Sequence, residues 1–286
     1  MKRKLSKIFI CPRCKTFLRL KIIKKHNERV KQGFLLCLKC NIKYEIINDI
    51  VCFKRIKVKN KDEKKIESIK DLFLNYEYKK EWYKHFSKQE LSTLKKEWKF
   101  IIDNLNLNKS KVHLDWATGT GRFLRNILNK ANGEIIALDF GYSNCVGLKI
   151  FLKKLNKYSN ITIVCADARD MPFTDNSIDS ISSWHGLDEP RIEKAINESK
   201  RVLKKNKKVA FSGVFYEKNS KSLELSRKFR INFAEEDKAY YYFKKFNFKD
   251  IKYQKFPKVK EKSRRNFIPR YGDYWTVYTI SGKKIK

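Results

Sequence analysis

Residues Val112 to Phe123, V-H-L-D-W-A-T-G-T-G-R-F, limit the fold more than any other stretch of the chain. An apolar run ends in Asp115, Gly119 and Gly121 follow, and helical spacing begins at once with Phe123, Leu124, Ile127 and Leu128. This reads as a strand, a glycine bend and a helix N-terminus. Glycine lets the backbone approach a ligand closely, and a helix start offers N–H groups without helical partners, so the unit is a cradle for a polar ligand.

Further strand–helix units follow in step. Glu134 to Leu138 reads as a strand ending in Asp139, eighteen residues beyond Gly121. Ile161 to Cys165 is a third strand, followed by Asp167 and Ala168, and Ile178 to Trp184 a fourth. A helix closing at Ser199 to Leu203 leads to a strand from Lys208 to Val214. Such alternation predicts a mainly parallel sheet with helices on both faces. An acid at the end of the second strand of such a unit accepts hydrogen bonds from ribose hydroxyls. Asp179 stands outside the set of strand-end acids and serves the turn into the fourth strand. Ser220 to Phe233 and Glu235 to Phe246 read as helices, and Asp250 to Phe256 and Tyr274 to Ile280 as strands.

This order resembles the class I S-adenosylmethionine-dependent methyltransferases from about residue 111 to 214. The resemblance implies a Rossmann-like seven-stranded, mainly parallel α/β sheet ending in a hairpin. It implies that Ala117, Thr118, Gly119 and Gly121 wrap the methionine part of S-adenosylmethionine, with Asp115 opening the motif. Asp139 then holds the ribose, Phe140 packs on the adenine, and Asp167 with the Ala168 N–H meets the adenine edge. A nicotinamide-binding enzyme would need a third glycine where Leu124 stands and would leave Asp167 and Ala168 without a task. Ser183-Trp184-His185-Gly186-Leu187-Asp188-Glu189 falls at the carboxyl end of the fourth strand, where ligands bind in open α/β sheets. Ser183 joins the cofactor set, Trp184 is placed to stack on a planar acceptor, and His185 to accept or steer a proton.

Ahead of this unit, Cys11-Pro-Arg-Cys14 and Cys37-Leu-Lys-Cys40 lie twenty-two residues apart. Two such knuckles bring four thiolates around one tetrahedral Zn²⁺, and with all four positions filled the metal is structural. Redox C-x-x-C chemistry is the competing reading, without the strand–helix context that it needs. Phe17 to Ile23 and Phe34 to Leu38 read as strands joined by a polar turn from His26 to Gly33, with His26 solvated. Through Tyr44, Ile46 and Ile50 this segment resembles the zinc ribbons that activate tRNA and rRNA methyltransferases. Cys52, Cys145 and Cys165 lie inside apolar runs, unlike a secreted disulfide framework.

The expected organisation is a zinc ribbon over residues 1–56, a helical connector over 57–110 and the catalytic domain over 111–286. Lys57 to Lys65 reads as a linker, and Ile66 to Phe86 carries apolar residues at helical spacing, with Trp82 and Tyr83 on a flap over the cofactor. Ser87-Lys88-Gln89-Glu90 has the form of a capping box opening a helix whose face carries Leu91, Leu94, Trp98, Ile101, Ile102 and Leu105.

Charge suggests partners. Lys and Arg number 67 against 31 acids, a formal net charge of +36, which attracts polyanions or anionic membrane surfaces. Ribbon and charge together point to an RNA substrate, tRNA or rRNA. The basic loop Pro257 to Arg265 and the aromatic cluster Tyr240 to Phe243 are then available for phosphate contact and base stacking. The alternative is a small-molecule ring acceptor, quinone-like or another metabolite, with the ribbon as scaffold. A non-catalytic RNA-binding protein is disfavoured by the intact strand-end acids. The sequence holds no membrane-spanning stretch and no convincing signal peptide, so the expected location is cytoplasmic.

Overall fold

The computed structural model describes residues 1–54, 87–262 and 268–285. The expected linker, the helical segment to Phe86 and the Trp82–Tyr83 flap lie outside them, as does part of the basic loop.

In the ribbon, β1 (Leu18–His26), β2 (Arg29–Cys37) and β3 (Lys43–Ile47) form an antiparallel meander. The first two strands are longer than their apolar runs suggested and turn at Asn27 and Glu28. Asn27 takes the left-handed conformation there (φ +48°), which asparagine tolerates better than most residues. The short β4 (Ile50–Cys52) pairs with β3 on one side and, in parallel, with a catalytic-unit strand, β7 (Ile161–Cys165), on the other.

After α1 (Lys88–Asp103) come β5 (Val112–Trp116), α2 (Leu124–Ile127), β6 (Glu134–Asp139) and α3 (Tyr142–Lys154). Beyond β7 follow β8 (Ile178–Ser183), α4 (Glu193–Val202), β9 (Leu203–Tyr216), α5 (Lys221–Lys228) and α6 (Lys238–Lys245). The chain finishes with β10 (Lys249–Lys255), β11 (Val259–Lys260) and β12 (Tyr274–Lys283). The capping box is present: Ser87 Oγ accepts from Glu90 N at 3.2 Å, and Glu90 Oε2 from Ser87 N at 2.7 Å.

The expected seven-stranded sheet is part of a larger mixed one. Its order is β1-β2-β3-β4-β7-β6-β5-β8-β9-β12-β10, with β11 paired to β12, twelve strands in all. Pairing is parallel from β4 through β9 and antiparallel at β12 and β10. The ribbon is therefore an extension of the catalytic sheet. Its knuckle is also bound across sequence: Phe9 bridges Phe173, with ring centroids 5.5 Å apart and both side chains fully buried.

Successive residues of a strand point to opposite faces, and β6 serves two cores accordingly. Ile136 and Leu138 pack with Leu114, Trp116 and Phe173 on the face covered by α4 and α6. Ile135 and Ala137 pack with Ile163, Leu148 and Ile101 on the face covered by α1, α2 and α3. With both faces occupied, β6 and β7 are near-continuous apolar runs, while β5 and β8 bury His113, Asp115, Ser180 and Ser182 as mutual hydrogen-bond partners.

The aromatic cluster on α6 is mostly core. Phe243 is fully buried, Tyr242 packs on Phe233, and Tyr240 on Tyr253, leaving Tyr241 as the exposed ring. Helical rotation turns the others inward, so the cluster is not the base-stacking platform expected from its composition.

The seam between ribbon and catalytic sheet gives a first prediction. Val51, fully buried in β4, replaced by alanine should cost roughly 2 kcal/mol through lost burial and a cavity. Urea unfolding followed by ribbon and catalytic-unit probes together should still give one transition; two separated transitions would mean that the ribbon folds apart.

Candidate active site

The glycine bend follows β5 directly. Ala117, Gly119 and Gly121 all have positive φ, at +52°, +55° and +83°, so three left-handed residues curl the backbone within five positions. An alanine there carries a steric cost that glycine avoids. A Cβ added at Gly119 would meet nothing within 4 Å, whereas one at Gly121 would lie 2.5 Å from Leu148 Cδ1. Gly121 is thus required for packing, while Gly119 faces open space above the bend.

Asp139, at the end of β6, fastens the bend to the next helix. Oδ2 accepts from Gly119 N at 2.7 Å, and Oδ1 accepts from Gly141 N at 2.8 Å and Asn144 Nδ2 at 3.1 Å. Next to it Phe140 is 57% exposed, with Lys54 Nζ 3.8 Å from its ring centroid. One strand further, Asp167 caps the short turn Ala168–Asp170 by accepting from Arg169 N at 2.8 Å. Its carboxylate also pairs with the Arg169 guanidinium at 2.7 Å, and these contacts hold it below the usual carboxylate range despite burial. Ala117, Thr118, Gly119, Gly121, Asp139, Phe140, Asp167 and Ala168 therefore all lie at the carboxyl ends of β5, β6 and β7.

Asp115 and Ser183, which the sequence reading grouped with them, point elsewhere. Asp115 is 2% exposed and accepts from Ser182 Oγ at 2.5 Å; burial raises its pKa to about 7. Ser183 Oγ donates to the Trp116 carbonyl at 2.8 Å. Both support the bend from beneath instead of lining it. Asp179 has a structural task, accepting from Val112 N and Lys204 Nζ, each at 3.0 Å.

Beyond β8 the chain turns sharply at His185, itself left-handed (φ +58°). Its Nδ1 lies 2.7 Å from Asp188 Oδ2, and its Nε2 lies 3.1 Å from Glu97 Oε1 on α1. With a carboxylate at each ring nitrogen, the pKa rises to about 10, the two acids outweighing the cost of burial. An imidazolium with both nitrogens engaged has no lone pair to offer. This geometry disfavours His185 as a proton acceptor: its ring sits between two acids and is placed to organise them.

Glu97 is the residue that sequence reasoning missed. It is 1% exposed, and a signal was present, because it continues the buried stripe Leu94–Glu97–Ile101 of α1 at helical spacing. A carboxylate on the apolar side of an amphipathic helix needs a partner, and His185 is that partner.

These groups border a cavity of about 540 Å³ between α1 and β8, β9, β11 and β12. Trp184, Tyr216, Val214, Trp275 and Val277 supply apolar wall, and Glu97, His185, Asp188 and Arg122 supply charge. Arg122 follows the glycine bend directly, so bend and cavity adjoin. Trp184 is wedged edge-on between Trp98 and His185, at 5.8 and 4.9 Å between centroids.

In the ribbon, the four Sγ atoms of Cys11, Cys14, Cys37 and Cys40 all lie within 4.8 Å of one another. A tetrahedral zinc–thiolate site, with bonds of about 2.3 Å, requires sulfur separations of about 3.8 Å, so the group fits one ion. His26 is exposed and outside the cluster.

A family model described as a methyltransferase domain matches residues 114–206. A ubiquinone/menaquinone biosynthesis C-methyltransferase of Rickettsia felis is 30% identical over 189 residues, 63% of this chain and 60% of that protein. A demethylmenaquinone methyltransferase of Staphylococcus carnosus is 36% identical over 110 residues, 37% and 44% of the two chains. The chain thus spans less than two thirds of these relatives' length. Among solved structures, a phosphoethanolamine N-methyltransferase of Haemonchus contortus superposes with a TM-score of 0.52 at 16% identity, over 67% of this chain and 53% of that one. A geranyl diphosphate C-methyltransferase from Streptomyces coelicolor gives 0.53 at 11%, over 67% and 79%. At such identities the structural likeness concerns the fold.

The charge state of His185 sets a pH dependence. Its folded pKa lies above the unfolded value of 6.5, so its contribution to stability is full below 6.5 and is lost as pH rises through about 10. The side chain keeps 28% exposure, which lets solvent screen part of the effect. The stability difference between wild type and His185→Gln, measured by urea unfolding above the range where carboxylates protonate, should therefore shrink steadily towards alkaline pH. A flat difference would remove the imidazolium assignment.

Proposed function

We propose that this chain, which carries a class I S-adenosylmethionine-dependent methyltransferase domain, transfers methyl groups to a hydroxylated planar ring of quinol type. The single observation that carries the reading is the cavity beside the glycine bend, walled by indole and aliphatic groups and holding the buried Glu97 carboxylate against the His185 ring. Its volume suits a ring acceptor. The relatives' names point the same way, towards quinone precursors, so the RNA substrate expected from ribbon and charge gives way to the small-molecule alternative. The ribbon's resemblance to activators of RNA methyltransferases finds no support in those names.

The residues present suit the cofactor. The open space over Gly119 accommodates its methionine part against Ala117 to Gly121, Asp139 has lone pairs for ribose hydroxyls, and the exposed Phe140 ring offers an adenine face. Asp167 and the Ala168 N–H are arranged for the adenine edge, with Arg169 keeping the carboxylate ionised. When bound, S-adenosylmethionine supplies an electrophilic methyl group.

The acceptor side is the work of the protein's own groups. Trp184 and Trp275 confine a flat ring, and displacement then gains from alignment and proximity. Glu97, oriented by His185, takes the proton of a ring hydroxyl and so makes the ring electron-rich; once the ring carbon is methylated, that carbon's hydrogen leaves to solvent as a proton and Glu97 returns its own proton to the oxygen. Asp188 holds the imidazole in place and, by accepting from Val214 N at 2.7 Å, ties that arrangement to β9. His185 positions Glu97 and is not itself the base.

Two measurements test this reading. With labelled donor and a short-chain hydroxynaphthoquinol, label should enter the ring, and Glu97→Gln should lower kcat roughly a hundredfold with cofactor affinity unchanged. Gly119→Ala should weaken cofactor binding in calorimetry while the protein stays folded. Label passing to nucleic acid in cell extract, and not to the ring, would sink the proposal.

Zinc is the proposed occupant of the four-cysteine cluster, as a structural ion. Elemental analysis should find one zinc per chain, and its removal by a chelator should lower the melting temperature of the whole chain, because β4 links the ribbon to β7. An unchanged melting curve after complete removal would count against a structural role.

A further inference from the structure

The ribbon hairpin has two unlike faces. Leu18, Leu35, Cys37, Tyr44 and Ile46 point into the core. The opposite face is turned to solvent and interleaves apolar side chains with Arg19, Lys21 and Lys43 and with one acid, Glu45, opposite Phe34. Phe17 is 71% exposed, Ile23 72% and Leu38 68%, and Phe34 and Leu36 are half-buried between them. Register makes this one surface: Arg19 pairs with Leu36 and Lys21 with Phe34, and Lys43 stands opposite Leu36 on β3. Ile23 joins at the β1 irregularity, where it lines a shallow groove with Phe34, Lys43 and Glu45. Lys43 Nζ lies 5.2 Å from the Phe34 ring centroid.

Exposed apolar side chains interleaved with cations are costly in water unless something covers them. The surrounding charge narrows the choice, since residues 1–54 hold fifteen Lys and Arg against three acids. Asp49 is sequestered by Arg29 and Lys31, at 2.9 Å each, so it does not offset the charge of the outer face. Ile23, Leu36 and Leu38 are aliphatic and offer nothing for base stacking, and Lys43 already lies over the Phe34 ring, so Phe17 is the one well-exposed ring of the face, fewer than successive stacked bases use. Aliphatic and phenyl groups flanked by lysine and arginine instead match an anionic bilayer surface, where the apolar groups enter the headgroup boundary and the cations meet lipid phosphates.

We propose that this outer ribbon face, centred on Phe17, Ile23 and Leu38, docks the protein on anionic lipid membranes. No helix among the described residues is long and apolar enough to span a bilayer, so attachment by this face is peripheral and reversible. Access to an apolar ring acceptor, as a purpose for docking, rests on the small-molecule reading above; the docking itself does not.

The test is flotation of the full zinc-loaded chain with vesicles of phosphatidylcholine alone, or of phosphatidylcholine and phosphatidylglycerol in equal parts. The protein should float with the anionic vesicles, less so in high salt, and not with the neutral ones. The double substitution Ile23→Ser, Leu38→Ser should reduce that partition by about tenfold or more, and Lys21→Glu should weaken it further. Circular dichroism and zinc content would verify that these variants are folded. Undiminished flotation of the double variant would overturn the proposal. So would loss of poly(U) binding in the double variant with flotation intact, marking a nucleic-acid surface, or a wild-type dimer that it dissociates, marking a contact between copies. Flotation requires neither cofactor nor acceptor, so its failure leaves the methyltransferase reading standing.

Discussion

The buried parallel strands β5, β6, β7 and β8 give alternate side chains to two separate cores, and everything functional follows from that division of space. A sheet covered on both faces cannot accommodate a polar ligand on either one. Ligand groups are left with the strand ends, and strand order reverses between β5 and its neighbours β6 and β8. Crevices form at such reversals because the connections on either side leave in opposite directions. The glycine bend, Asp139 and the His185 turn all occupy that end of the sheet.

Within the crevice, charge is handled by pairing. Asp139 accepts from backbone N–H groups of the bend and of the following turn, which shapes the cradle and leaves acceptor capacity for a ligand. Asp167 is kept ionised by Arg169. Glu97 and Asp188 are brought together by the His185 ring between them, across two segments distant in sequence. A charge buried without such a partner would be expelled or neutralised, so the His185 contact is a condition for the buried Glu97 carboxylate beside the cavity.

The ribbon extends this logic to the sheet edge. Through β4 it prolongs the parallel ladder, covers an edge that would otherwise be open to other chains, and presents an outward face of interleaved apolar and basic side chains. Its four thiols and its hairpin register are set by the same few residues, so metal site and outer surface are two sides of one structure.

Much of this was legible in the chain itself. Strand ends at Asp115, Asp139 and Cys165, the capping box at Ser87 and the paired knuckles depend on local spacing, and local spacing survives folding. What the sequence could not decide was where side chains with more than one plausible partner would turn. Asp115 and Asp139 look alike in sequence, yet one is sealed against Ser182 and the other grips the bend, because opposite sides of a strand end meet different neighbours. The Tyr240–Phe243 cluster looked like a stacking platform until the helix direction carried most of it into the core. Glu97 read as one polar residue among many on a helix, and only the approach of His185, from a turn almost ninety positions later, made it part of a site. Periodicity is written into neighbouring residues; the meeting of distant charges is decided by packing.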